Sequence, residues 1–239
     1  MALIDLVIDE KMLMYASLSS YVRWDTQKSP HLVVSGVTGS GKTYLVKLII
    51  GRISKYITDS QITICDFKGD NSDFSGLIGA KRYYRFDDAL RGFNEFYDCF
   101  LHRQRYNDSM NFRLILIEEY ASLLNYLPKS ESEEIKRKLS SLLMLARSFN
   151  FHVLLSQQRL DAEYFGKARD NFNVVITLGN VSKEVRDMLF SSYKDEITPD
   201  RSRGTGYMIT NGADFRRIVV PQINNMDLLN QYIKDAVDR

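Results

Sequence analysis

Residues 31–50 read HLVVSGVTGSGKTYLVKLII. The run Leu32 to Ser35 is short, apolar and partly β-branched, the composition of a strand covered on both faces. It leads into Gly36-Val37-Thr38-Gly39-Ser40-Gly41-Lys42-Thr43, a full match to G-x-x-x-x-G-K-[ST]. Behind the match, Tyr44, Leu45, Leu48 and Ile49 fall at helical spacing. A triphosphate is a compact polyanion. Successive backbone N–H groups surround it, glycines let the backbone approach closely, and the positive end of the following helix adds to the attraction. Gly36 through Tyr44 are therefore the expected nucleotide cradle, with Lys42 reaching the β- and γ-phosphates and the Thr43 hydroxyl on Mg²⁺. The competing reading is a glycine turn before an amphipathic helix; the preceding strand weighs against it.

Composition narrows the class. The chain has 239 residues, 44% hydrophobic and 26% charged, which suits one large globular domain. No apolar run approaches the ~18 residues of a membrane span, and the start, MALIDLVIDEKM, carries acids where a signal peptide has a positive region. Cys65 and Cys99 lie far apart without metal spacing and read as buried free thiols of a cytoplasmic protein. A net charge of +2 confines any nucleic-acid surface to a local patch or to several subunits together.

Along the chain, Ala2 to Ile8 reads as an edge strand, and Glu10 to Tyr21 fits no single class. Trp24, the only tryptophan, is expected in the core rather than under a nucleotide base. Gln61 to Phe67 is a second buried strand, closing in Asp66-Phe67-Lys68-Gly69-Asp70 at the end where open α/β sheets place ligands; a plain polar turn is the alternative. Phe86 to Arg105 is an amphipathic helix with apolar positions at Leu90, Phe93, Phe96, Tyr97 and Leu101 and a solvated basic tail, His102 to Arg105. A third strand, Leu114 to Ile117, ends in Glu118 and Glu119, one suited to a Mg²⁺ shell and the other to polarising an attacking water. Ser130-Glu131-Ser132-Glu133 reads as a capping box opening a long helix that runs to about Phe149. His152 to Ser156 is a fourth strand, and Gln158 beyond it is placed to sense a γ-phosphate or orient water. Asn173 to Leu178 is a fifth strand, followed by a short helix from Ser182 to Phe190 and a basic loop, Arg201 to Gly206. Asn211-Gly212 between Tyr207–Thr210 and Phe215–Val220 signals a hairpin, and Met226 to Val237 a final helix.

This ordered set resembles the FtsK/HerA family of DNA-pumping ATPases, and more narrowly the short FtsK-like coupling proteins of Gram-positive conjugative elements. The resemblance covers roughly 24–220. Trp24-Asp25 with Ser29-Pro30-His31-Leu32 is similar to the family's lead into the phosphate loop, and Cys65-Asp66-Phe67-Lys68 to its Asp-Pro-Lys element. Ile117-Glu118-Glu119-Tyr120-Ala121 resembles its Walker B, Ala146-Arg147 before Phe151-His152-Val153-Leu154 the arginine-bearing helix end, Ser156-Gln157-Gln158-Arg159 the Thr-Gln-Arg sensor, and Arg203-Gly204-Thr205-Gly206-Tyr207-Met208 the glycine turn before the last hairpin. Glu118 replaces the usual Asp, while Phe67 and Leu160 replace prolines. The stretch holds neither the membrane anchor many members have nor a winged-helix domain.

The resemblance implies a RecA-like P-loop NTPase fold of the ASCE type. Its central sheet is mostly parallel, the sensor strand lies between the P-loop and Walker B strands, and a hairpin stands near the end. One motor domain is expected over 1–239, with a lead-in at 1–30, an ATPase core at 31–225 and a terminal helix at 226–239. ATP and Mg²⁺ are the implied cofactors, with Thr43 and Glu118 on the metal, Glu119, Lys42 and Gln158 at the chemistry, and Arg147 completing a neighbour's site, ahead of Arg159 and Arg203. The implied partners are the DNA phosphate backbone, further copies of the chain in a hexamer, and a relaxase or membrane-bound transfer machinery. A protein-secreting ring ATPase and an ATP-binding regulator with little turnover share every nucleotide residue and stand as alternatives.

Overall fold

The computed structural model describes residues 3–69, 73–158 and 160–239. The chain runs through β1 (Leu3–Asp9), α1 (Glu10–Ala16), β2 (Tyr21–Asp25), β3 (Leu32–Gly36), α2 (Lys42–Tyr56), β4 (Gln61–Asp66), β5 (Tyr83–Arg85), α3 (Asp88–Tyr106) and β6 (Arg113–Glu118). It continues through α4 (Tyr120–Tyr126), α5 (Lys129–Leu145), β7 (Phe151–Gln157), α6 (Ala162–Phe165), β8 (Val174–Leu178), α7 (Lys183–Leu189), the hairpin β9 (Thr205–Thr210) and β10 (Asp214–Val219), and α8 (Met226–Asp238). The strands form one ten-stranded sheet in the order β2-β1-β10-β9-β8-β3-β7-β6-β4-β5. From β8 to β5 every neighbour pair is parallel; from β8 to β2 every pair is antiparallel.

The near-continuous apolar runs of the parallel strands are explained by cover on both faces. Side chains alternate along a strand, so Leu114 and Leu116 enter one core with α2 and α8, while Ile115 and Ile117 enter the other with α3 and α5. At Gly51 of α2 a Cβ would lie 2.2 Å from the Leu229 side chain of α8, so a larger residue there would make that leucine shift. The sensor strand β7 sits between β3 and β6, as the resemblance implies.

Several local expectations are corrected. The first strand is internal, paired with both β10 and β2, and the edge of the sheet is β2. The capping box does not form: the helix starts at Lys129, the first helical bond runs from Ser132 N–H to Pro128 O, and no side chain caps it. Pro128 decides this, because a proline forces Leu127 before it into extended backbone and helix can begin directly after. That helix stops at Leu145, and a 3₁₀ turn, Ala146–Phe149, carries the chain to Asn150. Arg103 is not solvated. It is 2% exposed, lies over the Phe151 ring and donates to the carbonyls of Asn111 and Phe149, holding together the loops that feed β6 and β7. Leu101 is 38% exposed instead of facing the core, and Cys99 is exposed while Cys65 is buried.

Beneath the amino ends of β3 and β7 lies an aromatic knot. Trp24 is buried, as expected, with edge contacts to Phe112 and His152, and the His152 ring stacks on Phe112 at 4.2 Å. Burial holds His152 down at about 4, and burial together with the facing His152 holds His31 at about 3. Both imidazoles are thus neutral in the fold, and His31 Nδ1 accepts from Val153 N–H at 3.1 Å. A histidine whose pKa is depressed by folding adds stability that is present above its unfolded value near 6.5 and is lost as pH falls toward the folded value. We expect stability to fall from pH 6.5 to 4 by about 1.4 kcal/mol per pH unit for each of these histidines. Urea titrations across that range should show a slope shallower by one proton in His152→Gln; an unchanged slope would rule the linkage out.

Candidate functional site

The carboxyl ends of β3, β4, β6 and β7 open into a cavity of about 450 Å³. Its lining includes Thr38, Gly39, Gly41, Lys42, Thr43 and Tyr44 from the phosphate loop, Glu118 and Glu119 at the end of β6, and Gln158 after β7. With Asp66 at the end of β4, residues from four separate stretches of sequence meet in one place. Gly36, Val37 and Ser40 of the expected cradle are not among the lining residues. A Cβ at Gly36 would lie 2.4 Å from the Leu178 carbonyl of β8, so only glycine lets the loop leave its strand beside its neighbour. Gly41 closes the loop at φ +103, a left-handed conformation that glycine adopts without strain, and α2 begins at the next residue. The Lys42 ammonium donates to the Gly36 carbonyl at 2.7 Å, folded back over its own loop. Burial pulls its pKa down, and Glu119 and Glu118 push it back up.

Glu118 is the least comfortable group in the cavity. It is 7% exposed, and its Oε1 has no hydrogen-bond partner. Burial raises its pKa to about 8, reinforced by Asp66 and Glu119 and opposed by Ser156 and Lys42. Asp66, at the end of β4, is locked by accepting from Gly69 N–H and the Tyr83 hydroxyl, both at 2.9 Å. An unsatisfied buried carboxylate beside a second carboxylate and the Thr43 hydroxyl is a hard oxygen donor set of the kind that suits Mg²⁺. Thr43, Glu118 and Asp66, which line the cavity together, are donors of the type that fits that ion.

Glu119 has backbone angles of φ 54 and ψ 48, rare for a residue with a side chain. Its N–H donates to the Ser156 carbonyl of β7 at 2.8 Å, and its own carbonyl receives Ser122 N–H at 2.9 Å, so the strand stops abruptly and the turn into α4 is fixed from both sides. Backbone strain of this sort is held where the surroundings over-determine it, commonly at functional sites.

Arg147 lies elsewhere. It lines a groove with Thr26, Gln27, Met110, Ser148, Asn150 and His152, at the amino end of β7, whereas the phosphate loop follows the carboxyl end of β3. It cannot serve the cavity of its own subunit. Arg203 does line the cavity, and Arg159 and Asp70 lie outside the described residues. Lys68, in an ion pair with Asp73 at 3.6 Å, is also at the cavity wall. Lys47, Asp73, Phe74 and Met226 were not singled out in the sequence, although they line the same cavity. Lys47 follows Thr43 by one helical turn and could have been read from that spacing; the others arrive through loops and a distant helix that leave no local signal.

The fold and the site define a P-loop NTPase with its sensor strand between phosphate loop and paired acids. Comparison with known proteins narrows this. The family model described as "Helicase HerA, central domain" matches residues 11–127. The FtsK domain-containing protein YdcQ of Bacillus subtilis (strain 168) is 26% identical over 206 residues, covering 80% of this chain and 42% of that protein. The chain thus spans less than half the length of this relative. The fold is similar to the pCW3 conjugation coupling protein TcpA, seen as a monomer with ATPγS (TM-score 0.69, 22% identity, 84% of this chain and 63% of that one). It is equally similar to the cytoplasmic domain of the type VII secretion ATPase EccC of Thermomonospora curvata (TM-score 0.70, 19% identity, 96% of this chain and 30% of that one). Family model and relative both point to a resemblance to FtsK/HerA-type ATPases. No helix among the described residues is long and apolar enough to cross a membrane.

Two outcomes follow from this geometry. A carboxyl group whose pKa is raised by folding adds stability that is complete below its unfolded value near 4.5 and is lost as pH rises through about 8. In nucleotide-free protein, Glu118→Gln should therefore raise the melting temperature by about 5 °C at pH 8.5 and hardly at pH 5; an equal shift at both pH values would contradict a buried charge. Because Glu119 pays for its left-handed backbone, Glu119→Gly should be more stable than Glu119→Ala by about 1 kcal/mol. Equal denaturant midpoints would show that the turn is unstrained.

Proposed function

We propose that this chain hydrolyses ATP to drive DNA through a ring of its own copies, in conjugative transfer or DNA segregation. The observation that carries the reading is the meeting of Lys42, Thr43, Glu118, Glu119 and Gln158 around one cavity at the carboxyl ends of neighbouring parallel strands. Backbone N–H groups of Gly39 to Tyr44 bind the phosphates, and Lys42 moves from the Gly36 carbonyl to the β- and γ-oxygens. Thr43, Glu118 and Asp66 are the residues that would hold Mg²⁺, which supplies charge neutralisation on the phosphates when bound. The Glu119 carboxylate accepts the proton of the attacking water, and the Gln158 amide orients that water against the γ-phosphate. Arg147, remote from its own cavity, is the arginine a neighbouring subunit would receive to stabilise the charge that spreads over the γ-oxygens. Contacts to DNA would be mainly to phosphates, tolerant of sequence and sensitive to salt.

The match to a family model described as a helicase central domain supports DNA as the cargo. A protein cargo is favoured by one observation, the comparable structural likeness to EccC. Measuring ATP turnover in assembled protein at low salt, with single-stranded DNA, duplex DNA or peptides added, separates the two. We expect DNA to stimulate turnover and Glu119→Gln to lower kcat by about 10²–10⁴-fold while nucleotide still binds. Stimulation by peptide alone, or an unaltered kcat in Glu119→Gln, would overturn the proposal.

A further inference from the structure

Two arginines stand two residues apart in the loop before β9 and meet opposite fates. Arg201 is tied down: its guanidinium donates to both carboxylate oxygens of Glu10, at 2.7 and 3.0 Å, and to the Gly206 carbonyl at 3.2 Å. Arg203 pairs with no carboxylate among the described residues and instead forms part of the wall of the nucleotide cavity. Its position is set by backbone, not by its own side chain. Gly204 N–H donates to the Ser40 carbonyl of the phosphate loop at 2.9 Å, and the Gly204 carbonyl receives Val220 N–H from the end of β10 at 2.8 Å. Gly204 takes φ +77 to make both bonds. The Ser202 carbonyl accepts from Thr205, through Oγ1 at 2.8 Å and N–H at 3.1 Å, which stiffens the turn around Arg203.

The flank is equally defined. Along the sheet, β9 and β8 lie on one side of β3, whereas β7 and β6, which carry Gln158 and the two glutamates, lie on the other. Arg203 therefore stands on a loop that meets the phosphate loop from the β8 and β9 side of β3, where its neighbour Gly204 packs against Gly41, and it shares the cavity wall with Tyr44 and Met226. A loop of this type holds the α- and β-phosphates over its last residues, with the γ-phosphate toward the metal and the acids. The part of the nucleotide that remains for Arg203 is the α-phosphate and the base. A planar guanidinium suits both, through a charge-assisted bond to a phosphate oxygen and stacking on an aromatic face.

We infer that Arg203 binds the nucleotide of its own subunit at the α-phosphate and base, and not a neighbour's γ-phosphate. The inference rests on nucleotide binding by the phosphate loop. Through Gly204, an occupied Arg203 ties the ligand to the end of the β9–β10 hairpin, so the antiparallel half of the sheet is in direct contact with the loaded site.

Calorimetric binding of ATPγS and ADP to wild type, Arg203→Ala, Arg203→Lys and Lys42→Ala tests this, at protein concentrations where the chain is monomeric by light scattering. Arg203→Ala should weaken ATPγS and ADP alike, by about tenfold, with Arg203→Lys recovering part of the loss. A loss confined to ATPγS, a loss that appears only in oligomers, or wild-type affinity in Arg203→Ala would each overturn the inference. If Lys42→Ala bound as tightly as wild type, or wild type bound neither ligand, the nucleotide site itself would fall and the inference with it. Because the Arg203 side chain makes no bond to a described residue, Arg203→Ala should melt with wild type, so that weakened binding reports on the ligand contact.

Discussion

The Glu118 carboxyl group sits where water scarcely reaches it, beside two more acids and a lysine that is occupied elsewhere. A charge in that position is tolerated only when a cation shares it. Asp66 is already saturated by Gly69 and Tyr83 and has little freedom to move away. Lys42 turns back to the Gly36 carbonyl, leaving the space in front of the carboxylates for a ligand that brings its own metal. Without a cation the Glu118 carboxyl keeps its proton up to about pH 8, so a bound metal ion would exchange with that proton.

The sheet makes the arrangement possible. Parallel strands end together, so residues that follow β3, β4, β6 and β7 converge although up to about a hundred positions separate them in sequence. The crossing of β7 between β3 and β6 places Gln158 next to the loop that holds phosphate. The Glu119 N–H bond to Ser156 is the local expression of the same topology, because it fixes the turn of the acid strand against the sensor strand.

Much of this was legible in the sequence because the parallel strands are buried on both faces and therefore read as uninterrupted apolar runs, each closed by a chemically distinct group. The glycine loop, the paired glutamates and Gln158 could be named before their meeting was seen. What stayed hidden has physical causes. β5 is three residues rich in Tyr and Arg, too short for any period to show. The expected capping box was overruled by Pro128, whose ring dictates where a helix starts more strongly than a serine hydroxyl does. Arg103 read as a solvated helix end because a buried arginine is identified by the carbonyls it meets, and those belong to Asn111 and Phe149. The lining residues Asp73, Phe74 and Met226 carry no motif, since a wall is defined by position.

The antiparallel half of the sheet gives the site a second boundary. β10 continues the order toward β1 and β2, and Arg216 on β10 holds Asp9 at 2.8 Å where β1 gives way to α1. Arg201 anchors the loop before β9 to Glu10, the first residue of that helix. The segment ahead of the phosphate loop in sequence is thereby fastened to the segment that follows the last parallel strand. Gly204 lies between the two, bonded on one side to Ser40 and on the other to Val220. A displacement of the phosphate loop on binding would reach the hairpin through one peptide unit, Gly204, and would reach β6 and β4 through the backbone ladder that runs from β3 by way of β7. The hairpin is thus joined to the phosphate loop by a direct backbone bond, and α1 to the hairpin through Arg201 and Arg216.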